Sequence, residues 1–287
     1  MNGVFQKTSL IAVVALFLLS CDRSTDAFPD EATAIDLLDQ PYGANPRQKM
    51  DVYLPAGRSQ KDTPLLIYIH GGAWIEGSKE EFNEFRSALS TALPEYAFAS
   101  INYSLFNLNT GANKFPTQEN EIKEAITYIQ SKSLEWNISD TIILAGASAG
   151  GHLALLHAYK HASIGNIKAV VAFFSPTDLA ELYDFNFLTV AGLRGLLGGN
   201  PSENPTAYAE SSPITFVDEQ AVPTIFFHGT VDQVVPISQS ELLAIALSEA
   251  GVPHEFIKVP NQGHGFTPET YSALFQQAAH FLAEFLN

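Results

Sequence analysis

The chain has 287 residues, a formal net charge of −16 and a single cysteine. This length suits one large α/β domain, and an acidic chain without a Lys/Arg cluster argues against nucleic acid and strongly anionic polymers as partners, because its field would repel them. One cysteine cannot form an intramolecular disulfide, so the stability must come from the core.

The N-terminus has the pattern of an export signal. An uninterrupted apolar run extends from Leu10 to Leu19 after a single charge at Lys7. Ten residues are too few to span a bilayer as a helix, but they match the apolar region of a secretory signal. Because the junction Leu18-Leu19-Ser20-Cys21 resembles a bacterial lipobox, we expect residues 1–20 to be a lipoprotein-type signal peptide. Cys21 would then be the lipid anchor of an exported, membrane-attached lipoprotein of the cell envelope.

The polar stretch at residues 21–32 lacks periodicity and predicts a flexible tether, which leaves residues 33–287 as the folded domain. Strand patterns there alternate with helical ones. Strands are predicted at residues 49–54, 65–69, 96–101, 141–145, 167–174, 224–227 and 255–259. Helices are predicted at residues 80–93, 116–129, 151–159, 238–250 and 271–286. Such alternation predicts an α/β fold with a mostly parallel central sheet and helices on both faces.

One segment, residues 179–222, is too long for a plain connection between two strands. We expect it to form a small cap insertion over the carboxyl ends of the strands, where ligands bind in open α/β sheets. Its apolar side chains either line an acyl or aryl pocket or pack the insertion onto the core. They are Phe185, Phe187, Leu188, Leu193 and Leu196.

Ser148 lies in the pattern G-x-S-x-G, between the strand that starts at Thr141 and the helix at residues 151–159. A serine on such a sharp turn can be a nucleophile, and the turn needs small residues at Gly146 and Gly150 because neighbouring elements approach closely. The pentapeptide alone is weak evidence, since Gly and Ser are common in ordinary turns.

A serine hydroxyl needs a histidine to accept its proton and a carboxylate to orient that histidine. His264 follows the last predicted strand between two glycines, and Asp232 follows the preceding strand. We therefore predict Ser148, Asp232 and His264 as catalytic residues, in that chain order. Asp178 and, less well placed, Asp218 are the rival carboxylates.

The developing oxyanion needs backbone N–H donors. The glycine-rich turn at residues 70–74 follows a central strand, and the amide of Ala149 follows the nucleophile. We assign the oxyanion hole to Gly72, Ala73 and Ala149. Which two amides of the turn point inward is left open by the sequence.

Five ordered motifs resemble those of α/β-hydrolase serine esterases of the hormone-sensitive-lipase-like and carbohydrate esterase groups. The resemblance is nearest to bifunctional feruloyl and acetylxylan esterase-type proteins, and it covers the chain from about residue 40 onward. The motifs are H-G-G-A-W at 70–74, N-Y-S at 102–104, G-A-S-A-G-G-H at 146–152, H-G-T-V-D-Q-V-V-P at 228–236 and G-H-G-F at 263–266. Ala73 stands where lipase-like relatives carry a third glycine, and H-G-G-x-W is also similar to kynurenine formamidase-like hydrolases.

The resemblance implies an α/β-hydrolase fold and a serine esterase without a cofactor or metal. The substrate would be a small-molecule or oligosaccharide ester, such as acetyl or feruloyl groups on plant polysaccharide fragments. Amide or formamide hydrolysis is the alternative activity. Trp74 and Tyr103 are the aromatic residues expected to border the substrate, unless they pack in the core. The sequence does not define an oligomeric state.

Overall fold

Eight strands form one sheet within the part of the chain that the computed structural model describes, residues 32–286 together with Gly3. They are β1 (Ile35–Pro41), β2 (Lys49–Leu54), β3 (Leu65–Ile69), β4 (Ala97–Ile101), β5 (Thr141–Ala147), β6 (Asn166–Phe173), β7 (Thr224–Gly229) and β8 (His254–Val259). Their order in the sheet is β1-β2-β4-β3-β5-β6-β7-β8. β2 is antiparallel to both of its neighbours, and β4, β3 and β5 to β8 are parallel to one another. The predicted mostly parallel sheet is confirmed.

Helices cover both faces of this sheet. They are α1 (Arg86–Ala92), α2 (Thr117–Trp136), α3 (Ala149–Lys160), α4 (Leu179–Leu182), α5 (Phe187–Leu197), α6 (Pro205–Glu210), α7 (Ser238–Glu249) and α8 (Pro268–Phe285), with two 3₁₀ helices at Lys79–Glu84 and Pro213–Phe216. The side chains of β3 alternate between two hydrophobic clusters, with Leu65 and Ile67 in one and Leu66 and Tyr68 in the other. A strand buried on both faces is what the continuous apolar run predicts.

Several elements differ from the sequence prediction, and the helices α4, α5 and α6 of the insertion were not predicted individually. The helix predicted at residues 80–93 is divided into the 3₁₀ helix Lys79–Glu84 and α1. α2 extends beyond the predicted end to Trp136, where Asn137 adopts a left-handed conformation with φ 51° and ends the helix. β1 was not predicted. It is a half-exposed edge strand, so its mixture of polar and apolar residues does not form a clear strand pattern in the sequence.

A buried ion pair fixes the 3₁₀ helix Lys79–Glu84 against the sheet. The Lys79 ammonium lies 2.8 Å from the Asp51 carboxylate of β2, and each side chain is 5% exposed. The Ser100 hydroxyl of β4 donates a hydrogen bond of 2.7 Å to the Lys79 carbonyl. The 3₁₀ helix is therefore held at the edge of the sheet where the loop after β3 emerges.

Candidate active site

Ser148 connects β5 directly to α3 and has φ 53° and ψ −122°, a conformation that L-residues rarely adopt. Its amide donates a hydrogen bond of 2.9 Å to the Phe173 carbonyl at the end of the neighbouring β6. The strained backbone is thus supported by the sheet. It presents the hydroxyl at the carboxyl edge of the parallel strands, as the predicted strand-to-helix turn requires.

The small residues around Ser148 are required by close backbone contacts. A Cβ added to Gly150 would lie 2.0 Å from the Ile69 carbonyl oxygen, and one added to Gly146 would lie 2.5 Å from the Gly150 carbonyl carbon. Both contacts are with backbone atoms, which cannot move away as the end of a side chain could. The glycines therefore allow α3 to pack against β3 and β5 directly behind the serine.

The structure brings together the three residues predicted as catalytic, which are far apart in the sequence. His264 Nε2 lies 3.0 Å from Ser148 Oγ, and His264 Nδ1 lies 2.8 Å from Asp232 Oδ2. Both distances are within hydrogen-bond range, so the three side chains form a continuous chain from hydroxyl to carboxylate. The rival carboxylate Asp178 has a different place, since its side chain caps α4 by accepting from the Ala180 and Glu181 amides.

Asp232 is buried, and its two carboxylate oxygens have separate partners. Oδ1 accepts hydrogen bonds of 2.8 and 3.0 Å from the Val234 and Val235 amides, while Oδ2 faces His264 and also lies 3.3 Å from His228 Nε2. Burial raises the pKa of Asp232, but the hydrogen bonds from His228 and His264 lower it by more. The resulting pKa lies well below the usual range, so the carboxylate stays charged beside the imidazole.

His228 supports the same loop. Its Nε2 lies 3.0 Å from the Val235 carbonyl, which can only accept, so Nε2 carries the proton in this arrangement. Nδ1 then accepts from the Ser240 hydroxyl at 2.8 Å. His228 is buried and therefore holds the loop of Asp232 rather than facing a substrate.

The turn after β3 has three consecutive residues with positive φ, namely Gly72 at 95°, Ala73 at 50° and Trp74 at 61°. Gly72 and Ala73 line the same cleft as Ser148 and His264. Ala149 is the first residue of α3, so its amide is one of the donors that have no partner inside the helix. Gly72 and Ala73 therefore line the cleft with Ser148, and Ala149 follows the serine directly at the start of α3.

The cleft has a volume of about 530 Å³. Its far wall consists of residues that the sequence did not indicate, because they come from the 3₁₀ helix Lys79–Glu84, its flanking turns and α8. They are Glu76, Glu81, Glu84, Phe85 and Tyr271. Among the described residues that line the cleft, none is a lysine or an arginine.

Trp74 and Tyr103 do not border this cleft, in contrast to the expectation that they contact substrate. Trp74 is 6% exposed and its ring packs edge-on against His152 at 5.0 Å. Tyr103 is fully buried and stacks on His70 at a centroid distance of 4.2 Å. Both side chains belong to the main hydrophobic core. Of the two roles expected for them, substrate contact or core packing, the structure supports core packing.

The apolar side chains of the insertion at residues 179–222 were expected either to line an acyl or aryl pocket or to pack onto the core. Leu193 and Leu196 are buried and join the main hydrophobic cluster, so they pack the insertion onto the core. Phe187 and Leu188 are 81% and 77% exposed. No described residue of the insertion lines the cleft that contains Ser148.

The predicted signal peptide at residues 1–20, apart from Gly3, and the predicted anchor Cys21 lie outside the described residues, as does the predicted tether at residues 21–32 apart from Ala32. Within the described part of the chain, helices long and apolar enough to cross a bilayer are absent. The same part of the chain contains no group of three His, Cys, Asp or Glu side chains arranged to bind a metal ion.

The sheet order and the hydrogen-bonded Ser, His and Asp define an α/β-hydrolase with a serine nucleophile site. Residues 50–247 match the model of the BD-FAE family, and the chain belongs to this family. In sequence it is 27% identical over 271 residues to esterase LipC of Mycobacterium tuberculosis, with 86% of this chain covered. Esterase LipQ of the same organism is 27% identical over 257 residues, with 83% covered. The chain spans only 63% and 59% of these two relatives.

Two solved structures support the same assignment. A truncated carbohydrate esterase from gut microbiota has a TM-score of 0.76 at 26% identity, with 89% of this chain and 97% of that chain covered. A bifunctional GH43-CE protein of Bacteroides eggerthii has a TM-score of 0.74 at 27% identity, covering 88% of this chain and 38% of the other. The resemblance to carbohydrate esterase-type hydrolases that the motifs indicated is confirmed.

Proposed function

We propose that this protein is a serine carboxylic ester hydrolase that acts through an acyl-enzyme. The observation that carries the proposal is the pair of hydrogen bonds, 3.0 Å and 2.8 Å long, that connects Ser148 through His264 to Asp232 at the cleft. A hydroxyl in this arrangement loses its proton to the imidazole as it attacks, and the carboxylate stabilises the imidazolium that forms.

In this mechanism the Ser148 oxygen forms a bond to the ester carbonyl carbon while His264 Nε2 accepts the hydroxyl proton. The carbonyl oxygen becomes an oxyanion, which the amides of the turn after β3 and of Ala149 stabilise. Collapse of this intermediate breaks the bond to the alcohol, which leaves with the proton from His264. Water then attacks the acyl-enzyme by the same steps and releases the acid.

Acetyl or feruloyl groups on plant polysaccharide fragments are the proposed substrates. Support comes from the BD-FAE family and from the two structural relatives, one a carbohydrate esterase and one a bifunctional GH43-CE protein. Aromatic rings of Phe85 and Tyr271 also line the cleft, where they can pack against an acyl group or a sugar.

The experiment compares 4-nitrophenyl acetate, methyl ferulate and N-formylkynurenine as substrates, followed by acetylated xylan and feruloylated oligosaccharides. Turnover of the esters, with little on the formamide, supports the proposal. Exclusive turnover of N-formylkynurenine would replace ester hydrolysis by formamide hydrolysis, the alternative that the H-G-G-x-W motif suggests.

The charge of the cleft favours an uncharged substrate. Glu76, Glu81 and Glu84 contribute three carboxyl groups to its wall, and Glu81 accepts a 2.5 Å hydrogen bond from the Tyr68 hydroxyl. An ester with an anionic alcohol would meet repulsion here, whereas neutral hydroxyl groups can donate to the carboxylates. We therefore propose that the enzyme prefers neutral alcohol groups to acidic ones.

The double variant Glu76→Gln and Glu84→Gln should weaken this preference. The readout is the ratio of kcat/KM for 4-acetoxybenzamide to that for the anionic 4-acetoxybenzoate. In the double variant, we expect the ratio to fall by about two- to fivefold per charge removed, which is the size typical of exposed charge pairs. In the wild type, we expect the ratio to fall as salt is added, because salt screens the repulsion. Glu95→Gln is the matched control. Glu95 is exposed and directly precedes β4, so it lies at the amino end of a parallel strand, whereas the cleft lies at the carboxyl ends. An unchanged ratio in the double variant would contradict charge selection.

Attachment to the cell envelope through Cys21 is proposed from the sequence alone. Expressed in bacteria, the full chain should incorporate radiolabelled palmitate and sediment with membranes, and Cys21→Ala should abolish both because the lipidated thiol is lost. Ser20→Thr, which keeps the cysteine, is a control for the leader sequence. Membrane attachment that persists in Cys21→Ala would refute the lipid anchor.

A further inference from the structure

The peptide group between Gly71 and Gly72 is held by buried side chains on the side opposite to the cleft. The Tyr103 hydroxyl lies 3.2 Å from the Gly71 carbonyl oxygen and 3.1 Å from the His70 carbonyl oxygen. His70 Nδ1 lies 2.8 Å from the same Gly71 oxygen. Because a carbonyl can only accept, the Tyr103 hydroxyl must be a donor here, and it is shared between two neighbouring peptide groups.

His70 adds a second donor to that carbonyl. Burial lowers the pKa of His70 to about 4, so its imidazole is neutral at physiological pH. Of the two tautomers, only the one with the proton on Nδ1 can donate to the Gly71 oxygen. The His70 ring also stacks on the Tyr103 ring with an angle of 11° between their planes. The two side chains therefore form one rigid support behind the turn.

This support fixes the direction of an amide in the cleft. A peptide bond is planar and trans, so the N–H of Gly72 points away from the carbonyl of Gly71. With the carbonyl oxygen held toward Tyr103 and His70, the Gly72 N–H is directed away from the core. Gly72 itself lines the cleft beside Ser148.

The next amides along the turn have different partners. The Gly71 backbone faces the Glu81 carboxyl group, an interaction that opposes the rise in the Glu81 pKa caused by burial. The Gly72 carbonyl accepts from the Ile75 and Glu76 amides at 2.9 and 3.0 Å, which fixes the following peptide and its Ala73 N–H in the same way. The amides of Gly72 and Ala73 thus belong to peptide groups with fixed carbonyls, and both residues line the cleft beside Ser148, where an oxyanion would form.

We infer that Tyr103 is a positioning residue for the reaction, whose buried hydroxyl aims the Gly72 amide at the oxyanion of the tetrahedral intermediate. This inference rests on the proposed ester hydrolysis. Tyr103 does not contact the substrate in this role, and it acts only through the backbone of residues 70–72. Its effect is therefore on the transition state rather than on substrate binding.

Tyr103→Phe tests the inference because it removes one oxygen and keeps the ring stacked on His70. We expect kcat to fall by roughly tenfold, the equivalent of one hydrogen bond, with KM almost unchanged. Tyr208→Phe is the matched control, since Tyr208 is 1% exposed and its hydroxyl donates to the Gly199 carbonyl, remote from the cleft. Both variants lose a buried hydrogen bond, but only Tyr103→Phe should lose turnover. An equal kcat in the two variants, or a higher KM with unchanged kcat in Tyr103→Phe, would overturn the inference.

A second measurement uses the wild-type enzyme and so does not depend on how the variant folds. A fluorophosphonate that reacts with Ser148 places a tetrahedral phosphoryl oxygen at the oxyanion position. In glycine-labelled ¹⁵N protein, the Gly72 amide proton should then shift downfield, and the Gly71 resonance should move less because the Gly71 backbone faces the Glu81 carboxyl group. A larger shift of Gly71 than of Gly72 would overturn the inference. Absence of labelling at Ser148 would instead refute the proposed ester hydrolysis itself.

Discussion

Ser148→Ala should reduce kcat/KM for 4-nitrophenyl acetate by about 10⁶-fold, the loss measured for the nucleophile of another serine hydrolase. The variant lacks the oxygen that His264 Nε2 approaches to 3.0 Å, so no acyl-enzyme can form. The remaining activity comes from the oxyanion donors and from substrate binding in the cleft. The measurement is steady-state turnover together with covalent labelling by a fluorophosphonate, which the variant should lose.

Ser87→Ala is the control for this prediction, because Ser87 is an exposed serine on α1. It should retain both turnover and labelling. A Ser148→Ala enzyme that still hydrolyses the ester at a rate near that of wild type would refute the acyl-enzyme mechanism. Folding of the variant can be verified by its circular dichroism, since alanine occupies the same strained backbone without the hydroxyl.

The sequence was sufficient to predict the parts of the site that depend on local chemistry. Ser148, Asp232 and His264 each follow a strand, and parallel strands end at the same edge of a sheet, so their order along the chain already implied that they meet. Gly72 and Ala73 were indicated in the same way. Glycines at 146 and 150 indicated close packing, because a Cβ at either position would lie only 2.5 or 2.0 Å from backbone atoms.

The walls of the cleft could not be predicted in this way. Glu81 and Tyr271 are separated by most of the chain, and they meet only because the 3₁₀ helix Lys79–Glu84 and α8 pack on the same face of the sheet. Neither element carries a motif. The aromatic residues nearest to the motifs were misleading, because Trp74 and Tyr103 are close to the site in sequence but turn into the core.

The direction of a backbone amide is likewise a tertiary property. The sequence placed three amides near the oxyanion but left open which of them point inward. That choice depends on the hydrogen bond from the Tyr103 hydroxyl to the Gly71 carbonyl and on the Glu81 carboxyl group that faces the Gly71 backbone, and both side chains come from outside the turn. A residue expected to touch substrate therefore has a role behind the oxyanion hole.

Asp232→Asn should reduce kcat by about 10⁴-fold although it changes the shape of the side chain very little. The amide oxygen of the asparagine can take the place of Oδ1, which accepts from the Val234 and Val235 amides. Its NH₂ group then replaces Oδ2 and faces His264 Nδ1. Two donors cannot share this contact, so His264 must present a lone pair at Nδ1 and carry its proton on Nε2. In that tautomer it cannot accept the proton of Ser148.

The loss should therefore appear in kcat, and a fluorophosphonate should label Ser148 more slowly. The thermal unfolding midpoint should also fall, because the buried carboxylate is lost and the new NH₂ group faces a second donor, His228 Nε2–H. Asp178→Asn is the control, because it replaces the rival carboxylate by the same amide group. Asp178 caps α4 through its side-chain oxygen, and asparagine is also a good cap, so the variant should fold normally. It should keep nearly full activity. If Asp178→Asn were inactive and Asp232→Asn active, the carboxylate that orients His264 would be misassigned. If both were active, His264 would need no carboxylate to orient it.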